Sequence, residues 1–297
     1  MRRGVLLQLL ILVSLIGGTN AETLPRFDGA RALAYTRQYV NATGPRWIGS
    51  PGHAKAEAFL KSQFRHDQVE EDTFRTDTPA GPMTMHNFIV KFPGRKDGII
   101  VLATHYETNY PLRNIHYVGA NDGGSTTGLL IEMANDLRGH TLNGYSVWLV
   151  FTDGEEAIKA WSDSDSVYGS KHLAAKWAAD GTLKRIRAFL LADMLGDKDL
   201  DVQKDLNSTP WLEDLVFKAA SQYGWQSFFF EHSTYDEDDH IPFVHRGVPC
   251  ADLIDLNYGY NNSYWHTAED TLDKIDAQSL TITGDTILET IRLLDQK

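Results

Sequence analysis

The chain has 297 residues, of which 42% are hydrophobic and 23% are charged, and its formal net charge is −12 at pH 7. This composition excludes a disordered chain, and the negative charge argues against nucleic acid and anionic lipid as partners. The single cysteine, Cys250, excludes an internal disulfide, so the stability of the protein must come from a sizeable core.

The first 21 residues have the pattern of a secretory signal peptide. Arg2 and Arg3 precede an apolar run of 12 residues, 5–16, and small residues follow as far as Ala21. The run is shorter than the ~20 residues that span a bilayer. We therefore expect cleavage after Ala21, a secreted or periplasmic protein without stable membrane association, and one domain over residues 22–297. We favour a monomer.

Helices and strands alternate along the rest of the chain. The spacing of apolar residues predicts helices over residues 27–40, 50–64, 126–137, 169–178, 210–223, 239–245 and 276–294. Alternating residues predict a hairpin over 69–92, and continuous apolar runs predict buried strands over 98–104, 147–152, 186–192 and 247–256. The sequence therefore predicts a single-domain α/β/α sandwich, with a mixed, mostly parallel twisted sheet, helices on both faces and the hairpin at one edge.

Acidic and imidazole side chains follow several of these predicted strands. The positions are His105, Asp122, Glu155, Glu156, Asp193 and His266. Each has an ordinary explanation as a helix cap, a turn residue or a structural histidine. However, the carboxyl ends of parallel strands meet at one edge of a sheet, and mixed histidine and carboxylate ligands with one open position are typical of catalytic zinc. Together these residues predict a metal site.

Three longer motifs resemble the animal-type glutaminyl-peptide cyclotransferases. They are WSDSDSVYGSKHLA after DGEEA, DDHIPFVHRGVP, and YWHT, and the resemblance runs from about Ala32 to the C terminus, including RWIGSPGH. These enzymes use zinc and belong to a superfamily of di-zinc aminopeptidases. The resemblance implies an enzyme that converts the N-terminal glutamine of peptides or proteins to pyroglutamate and releases ammonia.

The resemblance also implies a role for individual residues. Asp122, Glu156 and His266 match the ligands of one zinc ion. Glu155 matches the catalytic acid/base, Asp193 the aspartate that holds the substrate amine, and Asp238 an aspartate of the proton network. Trp161 and Trp265 match aromatic residues that line the substrate pocket.

Two positions depart from the family pattern. Asp252 stands where the family usually has histidine, and Glu107 stands where an aspartate orients the histidine that matches His105.

Two other functions are alternatives to a cyclase. In the aminopeptidases His105 and Asp193 would hold a second zinc ion. We favour a cyclase with one zinc because the long motifs resemble cyclases more than peptidases. A secreted di-zinc aminopeptidase and a non-catalytic ectodomain are the alternatives.

Overall fold

An eight-stranded mixed sheet organises the protein, as seen in a computed structural model that describes residues 25–138 and 142–297. The predicted signal peptide, residues 1–21, lies outside these described residues. The strands are β1 (Gln68–Thr78), β2 (Gly81–Phe92), β3 (Ile99–His105), β4 (Ser146–Thr152), β5 (Ile186–Asp193), β6 (Val202–Asp205), β7 (Phe229–Thr234) and β8 (Cys250–Ile254). Their order across the sheet is β1-β2-β4-β3-β5-β8-β6-β7.

The centre of the sheet is parallel and its hairpin is antiparallel. Strands β4, β3, β5 and β8 run in one direction, whereas β1 and β2 pair antiparallel and form one edge. The hairpin turns between Thr78 and Gly81, and Gly81 has a φ of 101°, which favours glycine. The prediction of a mixed sheet with a hairpin at one edge is confirmed.

Helices cover both faces of the sheet. They are α1 (Gly29–Thr43), α2 (Pro51–Gln63), α3 (Gly124–Leu137), α4 (Tyr168–Asp180), α5 (Pro210–Tyr223), α6 (Ile241–Val244) and α7 (Ala277–Leu294). One face packs against α1, α3, α5 and α7, and the other packs against α4 and α6. No helix in the described part of the chain is long and apolar enough to cross a membrane.

Strand β3 shows why the central strands read as continuous apolar runs. Its side chains alternate between two cores: Ile100 and Leu102 pack on the α1–α3 side, whereas Val101 and Ala103 pack on the α4 side. All four are fully buried. A strand with helices on both faces needs apolar residues at every position, and this arrangement confirms the α/β/α architecture.

Two strands were not predicted from the sequence. Strands β6 and β7 pair in parallel and extend the sheet beyond β8 as its second edge. Strand β6 has four residues, and most side chains of β7 are at least partly exposed. Neither segment therefore carries a hydrophobic period that identifies a strand. Strand β8 is also shorter than predicted, because the chain turns at Gly247 before Pro249.

Candidate metal centre and active site

The predicted site residues lie at the carboxyl edge of the parallel strands. His105 is the last residue of β3 and Asp193 is the last residue of β5. Strand β4 ends beside them, and the chain turns at Gly154, with a φ of 75°, before Glu155 and Glu156. The parallel register thus brings together side chains that are as much as 88 positions apart in the sequence (193 − 105 = 88).

Asp122, Glu156 and His266 converge on one point. The Nε2 atom of His266 lies 3.0 Å from a carboxylate oxygen of Glu156 and 3.3 Å from one of Asp122. Zinc bonds to nitrogen and oxygen are ~2.0–2.2 Å long, so tetrahedral ligand atoms are ~3.3–3.5 Å apart. Both carboxylates are buried, and His266 is partly exposed. The three donors fit a zinc ion that has one position left for a substrate.

The charges of these residues favour a cation. Burial by itself lowers the pKa of His266, but Glu156 and Asp122 raise it to about 10. Burial by itself raises the pKa of Asp122, but hydrogen bonds from His105 and His266 hold it well below its ordinary value. A proton held between two buried carboxylates occupies a position that a divalent ion can take instead.

Hydrogen bonds fix the two carboxylates and their loops. The hydroxyl group of Tyr117 donates to Asp122, and the amide of Asn109 donates to Glu156 over 2.6 Å. The carboxylate of Asp270 accepts from the backbone N–H of Asp122 at 3.2 Å. Partners of this kind orient metal ligands and maintain affinity. The sequence carried no spacing signal that singles out Asn109, Tyr117 or Asp270.

Arg46 is a further residue that sequence reasoning missed. Its guanidinium group is fully buried and donates to the carbonyl oxygens of Tyr106 at 2.6 Å, Gly119 at 2.9 Å and Asp122 at 3.0 Å. It therefore joins the end of β3 to the loop that carries Asp122. Arg46 lies in the RWIGSPGH segment, which contributed to the family resemblance, and its position there was the available signal.

His105, Asp122 and Asp193 form a second group of donors. The Nε2 atom of His105 lies 3.0 Å from Asp122 Oδ1 and 3.2 Å from Asp193 Oδ1. Asp122 directs its other oxygen, Oδ2, toward His266. One carboxylate is thus shared by two sets of three donors, and each set lies within 4.8 Å. This arrangement is compatible with a second metal ion bridged by Asp122.

Glu107 does not orient His105 by a hydrogen bond. Its Oε2 atom is 3.9 Å from Nδ1 of His105, which is beyond hydrogen-bond distance. The Oε1 atom instead accepts from the backbone N–H of Glu156 at 3.1 Å. Within the described residues, Nδ1 of His105 has no hydrogen-bond partner. The departure from the family pattern therefore leaves His105 without the carboxylate contact that normally fixes the ring.

Glu155 and Asp238 are buried carboxylates next to the metal centre. Burial raises the pKa of Glu155 well above its ordinary value, and the charge of Asp238 raises it further. Burial and the charges of Asp193, Asp239 and Asp236 likewise raise the pKa of Asp238. Neighbouring buried acids whose pKa values are raised by one another's charge hold protons near neutral pH.

The site opens into a cleft of about 680 Å³, a size that accommodates a small ligand or the end of a peptide. Trp161 and Trp265 line this cleft, and 41% and 40% of their surfaces are exposed. The other predicted site residues that line it are Asp122, Glu155, Glu156, Asp193, Asp238 and His266. Trp265 also stacks on His266, with ring centres 4.0 Å apart and an angle of 19° between the ring planes. Trp265 therefore supports a donor of the metal centre as well as forming the wall of the cleft.

Two residues at the site have left-handed backbone conformations. His266 has a φ of 54°, and Met194, which follows Asp193, has a φ of 53°. Such conformations are unfavourable for residues other than glycine and are found most often where function requires them. Both occur next to, or at, a residue that faces the metal centre.

Comparisons with known proteins identify the family of the chain. Residues 87–291 match Peptidase family M28. The glutaminyl-peptide cyclotransferase of Drosophila melanogaster is 30% identical over 259 residues, which covers 78% of this chain and 72% of that protein. The glutaminyl-peptide cyclotransferase of Bothrops jararaca is 32% identical over 276 residues, covering 79% of this chain and 73% of that protein.

Solved structures give the same result. A glutaminyl cyclase from an Acidobacteriales bacterium is 59% identical and superposes with a TM-score of 0.91, covering 93% of this chain and 97% of that one. The glutaminyl cyclase of Porphyromonas gingivalis is 28% identical with a TM-score of 0.80, covering 91% and 98%. The chain therefore belongs to peptidase family M28 and, within that family, to the group that includes the glutaminyl-peptide cyclotransferases.

Proposed function

We propose that this protein is a zinc-dependent glutaminyl-peptide cyclotransferase, an acyltransferase that converts N-terminal glutamine to pyroglutamate. The observation that carries the proposal is the convergence of Asp122, Glu156 and His266 beside the buried Glu155: Nε2 of His266 lies 3.3 and 3.0 Å from the two carboxylates, and the three donor atoms are within 4.8 Å of one another. The proteins of known structure and sequence named above support cyclisation as the reaction. The substrate is the N-terminus of a peptide or protein.

In this proposal Asp122, Glu156 and His266 hold the zinc ion. When it is bound, zinc supplies a Lewis acid that polarises the side-chain carbonyl group of the glutamine. Asp193 accepts a hydrogen bond from the substrate α-amine and so holds it toward that carbonyl carbon. Trp161 and Trp265 exclude bulk water from the reacting atoms. Folding the glutamine side chain back onto its own amine can contribute ~7–11 kcal/mol through proximity alone.

Glu155 moves the proton. A bond forms between the α-amine nitrogen and the side-chain carbonyl carbon, while Glu155 takes a proton from that nitrogen. Glu155 then gives the proton to the leaving nitrogen, the C–N bond of the side-chain amide breaks, and ammonia departs. Asp238 lies close enough to raise the pKa of Glu155 and keeps a proton available to it. No water molecule is consumed, so the peptide bond after the first residue stays intact.

A peptide with N-terminal glutamine tests the proposal. We expect release of ammonia and a product that differs from the substrate only by that loss. The same peptide with an acetylated α-amine is the control, because it lacks the nucleophile and should not react. Release of free glutamine from the unmodified peptide would show that the enzyme is a peptidase.

A di-zinc aminopeptidase is the second candidate, and one observation favours it. His105, Asp122 and Asp193 form a complete second group of donors that shares Asp122 with the first. The variant His105→Ala distinguishes the two functions. With one zinc ion, turnover should fall by about tenfold, since His105 then only positions Asp122; a two-zinc peptidase should lose about 10³-fold or more. Measurement of zinc content and of both products in this variant decides between them.

A non-catalytic ectodomain is the third candidate, and zinc analysis addresses it. A purified protein that binds no zinc and is insensitive to chelators would fit this candidate, and we expect the opposite. We also propose a secreted or periplasmic location, which rests on the signal-peptide pattern of residues 1–21. N-terminal sequencing of exported protein should begin at Glu22. A monomer is expected in solution, and light scattering tests this.

A further inference from the structure

A second set of metal-binding side chains lies outside the cleft, where α2 meets the hairpin strand β2. His53 and Glu57 are four positions apart on α2 and so project from the same face of the helix. Their facing atoms, Nδ1 of His53 and Oε1 of Glu57, are 3.5 Å apart. His86 of β2 directs its Nε2 atom to the same oxygen at 3.9 Å. None of these three residues lines the cleft of the active site.

The outer nitrogen of each histidine already has a partner. Nε2 of His53 lies 2.9 Å from Oδ1 of Asp153, and Nδ1 of His86 lies 3.0 Å from the hydroxyl oxygen of Thr73. Histidines that bind metals are usually oriented in this way, with one nitrogen on a carboxylate or hydroxyl group and the other on the ion. Both remaining nitrogens face the carboxylate of Glu57.

The inner atoms, Nδ1 of His53, Oε1 of Glu57 and Nε2 of His86, are too far apart to form hydrogen bonds through Glu57. Separations of 3.5 and 3.9 Å exceed the usual length of a hydrogen bond to nitrogen, and no hydrogen bond between described residues joins Glu57 to either ring. They are close to the ~3.3–3.5 Å between ligand atoms around a tetrahedral zinc ion. The Glu57 oxygen therefore lies within about half an ångström of the ligand-to-ligand spacing from each of the two nitrogens.

We propose that His53, Glu57 and His86 form a peripheral zinc site, separate from the active centre. Two imidazoles and one carboxylate are a donor set that zinc prefers, and a water molecule completes the tetrahedron. The side chains of Glu57 and His86 are 20% and 26% exposed, so an ion can enter from solvent. The net charge of −12 gives the protein an overall negative field that attracts cations.

The peripheral zinc would fasten three segments of the chain together. His53 and Glu57 lie on α2, and His86 lies on β2. Asp153 links both histidines to the loop after β4, because its Oδ2 atom accepts from the backbone N–H of His86 at 2.8 Å while Oδ1 faces His53. Asp153 lies two residues before Glu155, and its contact with the backbone N–H of His86 does not depend on the ion, so loss of the ion should leave Glu155 in place.

Equilibrium dialysis against zinc, followed by elemental analysis, tests the proposal. We expect His86→Gln and Glu57→Gln to bind one equivalent of zinc less than the wild type, with cyclase activity within about twofold of it. Both side chains are partly exposed, so these variants should fold; His53→Ala is less suitable because His53 is buried and stacks on Tyr106. The matched control is His232→Gln, since His232 is exposed and pairs with the carboxylate of Asp201.

Two results would overturn the proposal. One is equal zinc content in the wild type, His86→Gln and Glu57→Gln, which would mean that the three side chains interact only with protons and with each other. The other is an equal loss of zinc in His232→Gln, which would indicate unspecific binding by surface histidines. Activity is measured on the same samples, so loss of the peripheral ion is distinguished from loss of the ion in the active centre.

Discussion

Two of the clusters of carboxylates and histidine in the described part of the chain share their chemistry and differ in their access to solvent. The open cluster is Asp122, Glu156 and His266, at the floor of the cleft. The buried cluster is Asp205, His240 and Asp252, and all three of its residues are fully buried. A substrate can reach the first cluster and is excluded from the second.

In the buried cluster the charged groups face one another. Nε2 of His240 lies 3.1 Å from Asp205, and Nδ1 lies 3.7 Å from Asp252. Asp205 also accepts a hydrogen bond from the hydroxyl group of Ser208 at 2.9 Å. Burial by itself raises the pKa of Asp205, but His240 and hydrogen bonds from the backbone N–H groups of Asn207 and Asp236 hold it below its ordinary value. The comparison teaches that the same residue types act as structure when enclosed and become available for chemistry only where a cleft reaches them.

Substitution of the proton carrier in the open cleft should have the largest effect. We expect Glu155→Gln to keep its zinc and to lose up to about 10⁴-fold in kcat, because glutamine preserves the shape and cannot transfer a proton. Steady-state kinetics with a Gln-initiated peptide and zinc analysis measure the two quantities. Full turnover in this variant would remove Glu155 from the mechanism.

Removal of a ligand from the open cluster should come next. We expect His266→Ala to lose bound zinc and about 10²–10³-fold in activity, because the imidazole supplies the nitrogen donor of the metal centre. The variant His232→Ala is the control for loss of an exposed histidine. Complete zinc occupancy in His266→Ala, with normal activity, would show that the third donor of the open cluster has been misassigned.

The sequence predicted the central architecture because both faces of the sheet are covered. Burial of β3 along its whole length, and of β5 everywhere except Arg187, produced apolar runs, and the residues at their ends had to meet at one edge. Strands β6 and β7 escaped prediction for the opposite reason: β6 has four residues, and β7 is a mostly exposed edge with no apolar alternation. Short or exposed edge strands are identified by the neighbouring strand with which they pair, and the sequence alone does not show that pairing.

Prediction of the site was limited in a similar way. The family motifs identified residues that carry charge at strand ends, such as Glu155 and Asp193. They did not reveal the role of Arg46, which donates to four backbone carbonyl oxygens, or that of Asp270, which accepts from backbone N–H groups of the Asp122 loop. A side chain that bonds to the backbone of another segment does not require a particular residue type there, so no sequence motif marks the contact. Such residues become visible only when the loops are placed in space.

Weakening the buried cluster should change stability and leave the chemistry intact. We expect Asp205→Asn to lower the free energy of unfolding by about 1.5–3 kcal/mol, since it removes the carboxylate charge that faces His240 at 3.1 Å in a site closed to water. Urea denaturation measures the change. Turnover per folded molecule should stay within about tenfold, because Asp205 does not line the cleft. A 10³-fold loss of turnover without loss of stability would contradict the division between the two clusters.

A smaller, pH-dependent effect should come from Glu213, a buried carboxyl group of α5 next to the buried cluster. Burial raises the pKa of Glu213 from 4.5 to about 7, against the opposing charge of Lys204, whose Nζ atom is 4.0 Å away. The folded protein therefore keeps a proton that the unfolded chain releases above pH 4.5, so this contribution to stability is complete below pH 4.5 and is lost as the pH rises through about 7.

The variant Glu213→Gln has no such proton to lose. We therefore expect the free energy of unfolding of the variant, relative to that of the wild type, to be about 1–2 kcal/mol higher at pH 8 than at pH 5. This is less than the full shift in pKa would give, because solvent and Lys204 screen part of the effect. Urea denaturation at both pH values measures the difference, and Glu231→Gln, at an exposed position, is the matched control. An identical pH dependence in Glu213→Gln and the wild type would mean that Glu213 is ionised in the folded protein. The enclosed region would then tolerate a charge that, in the open cluster, we expect a metal ion to balance.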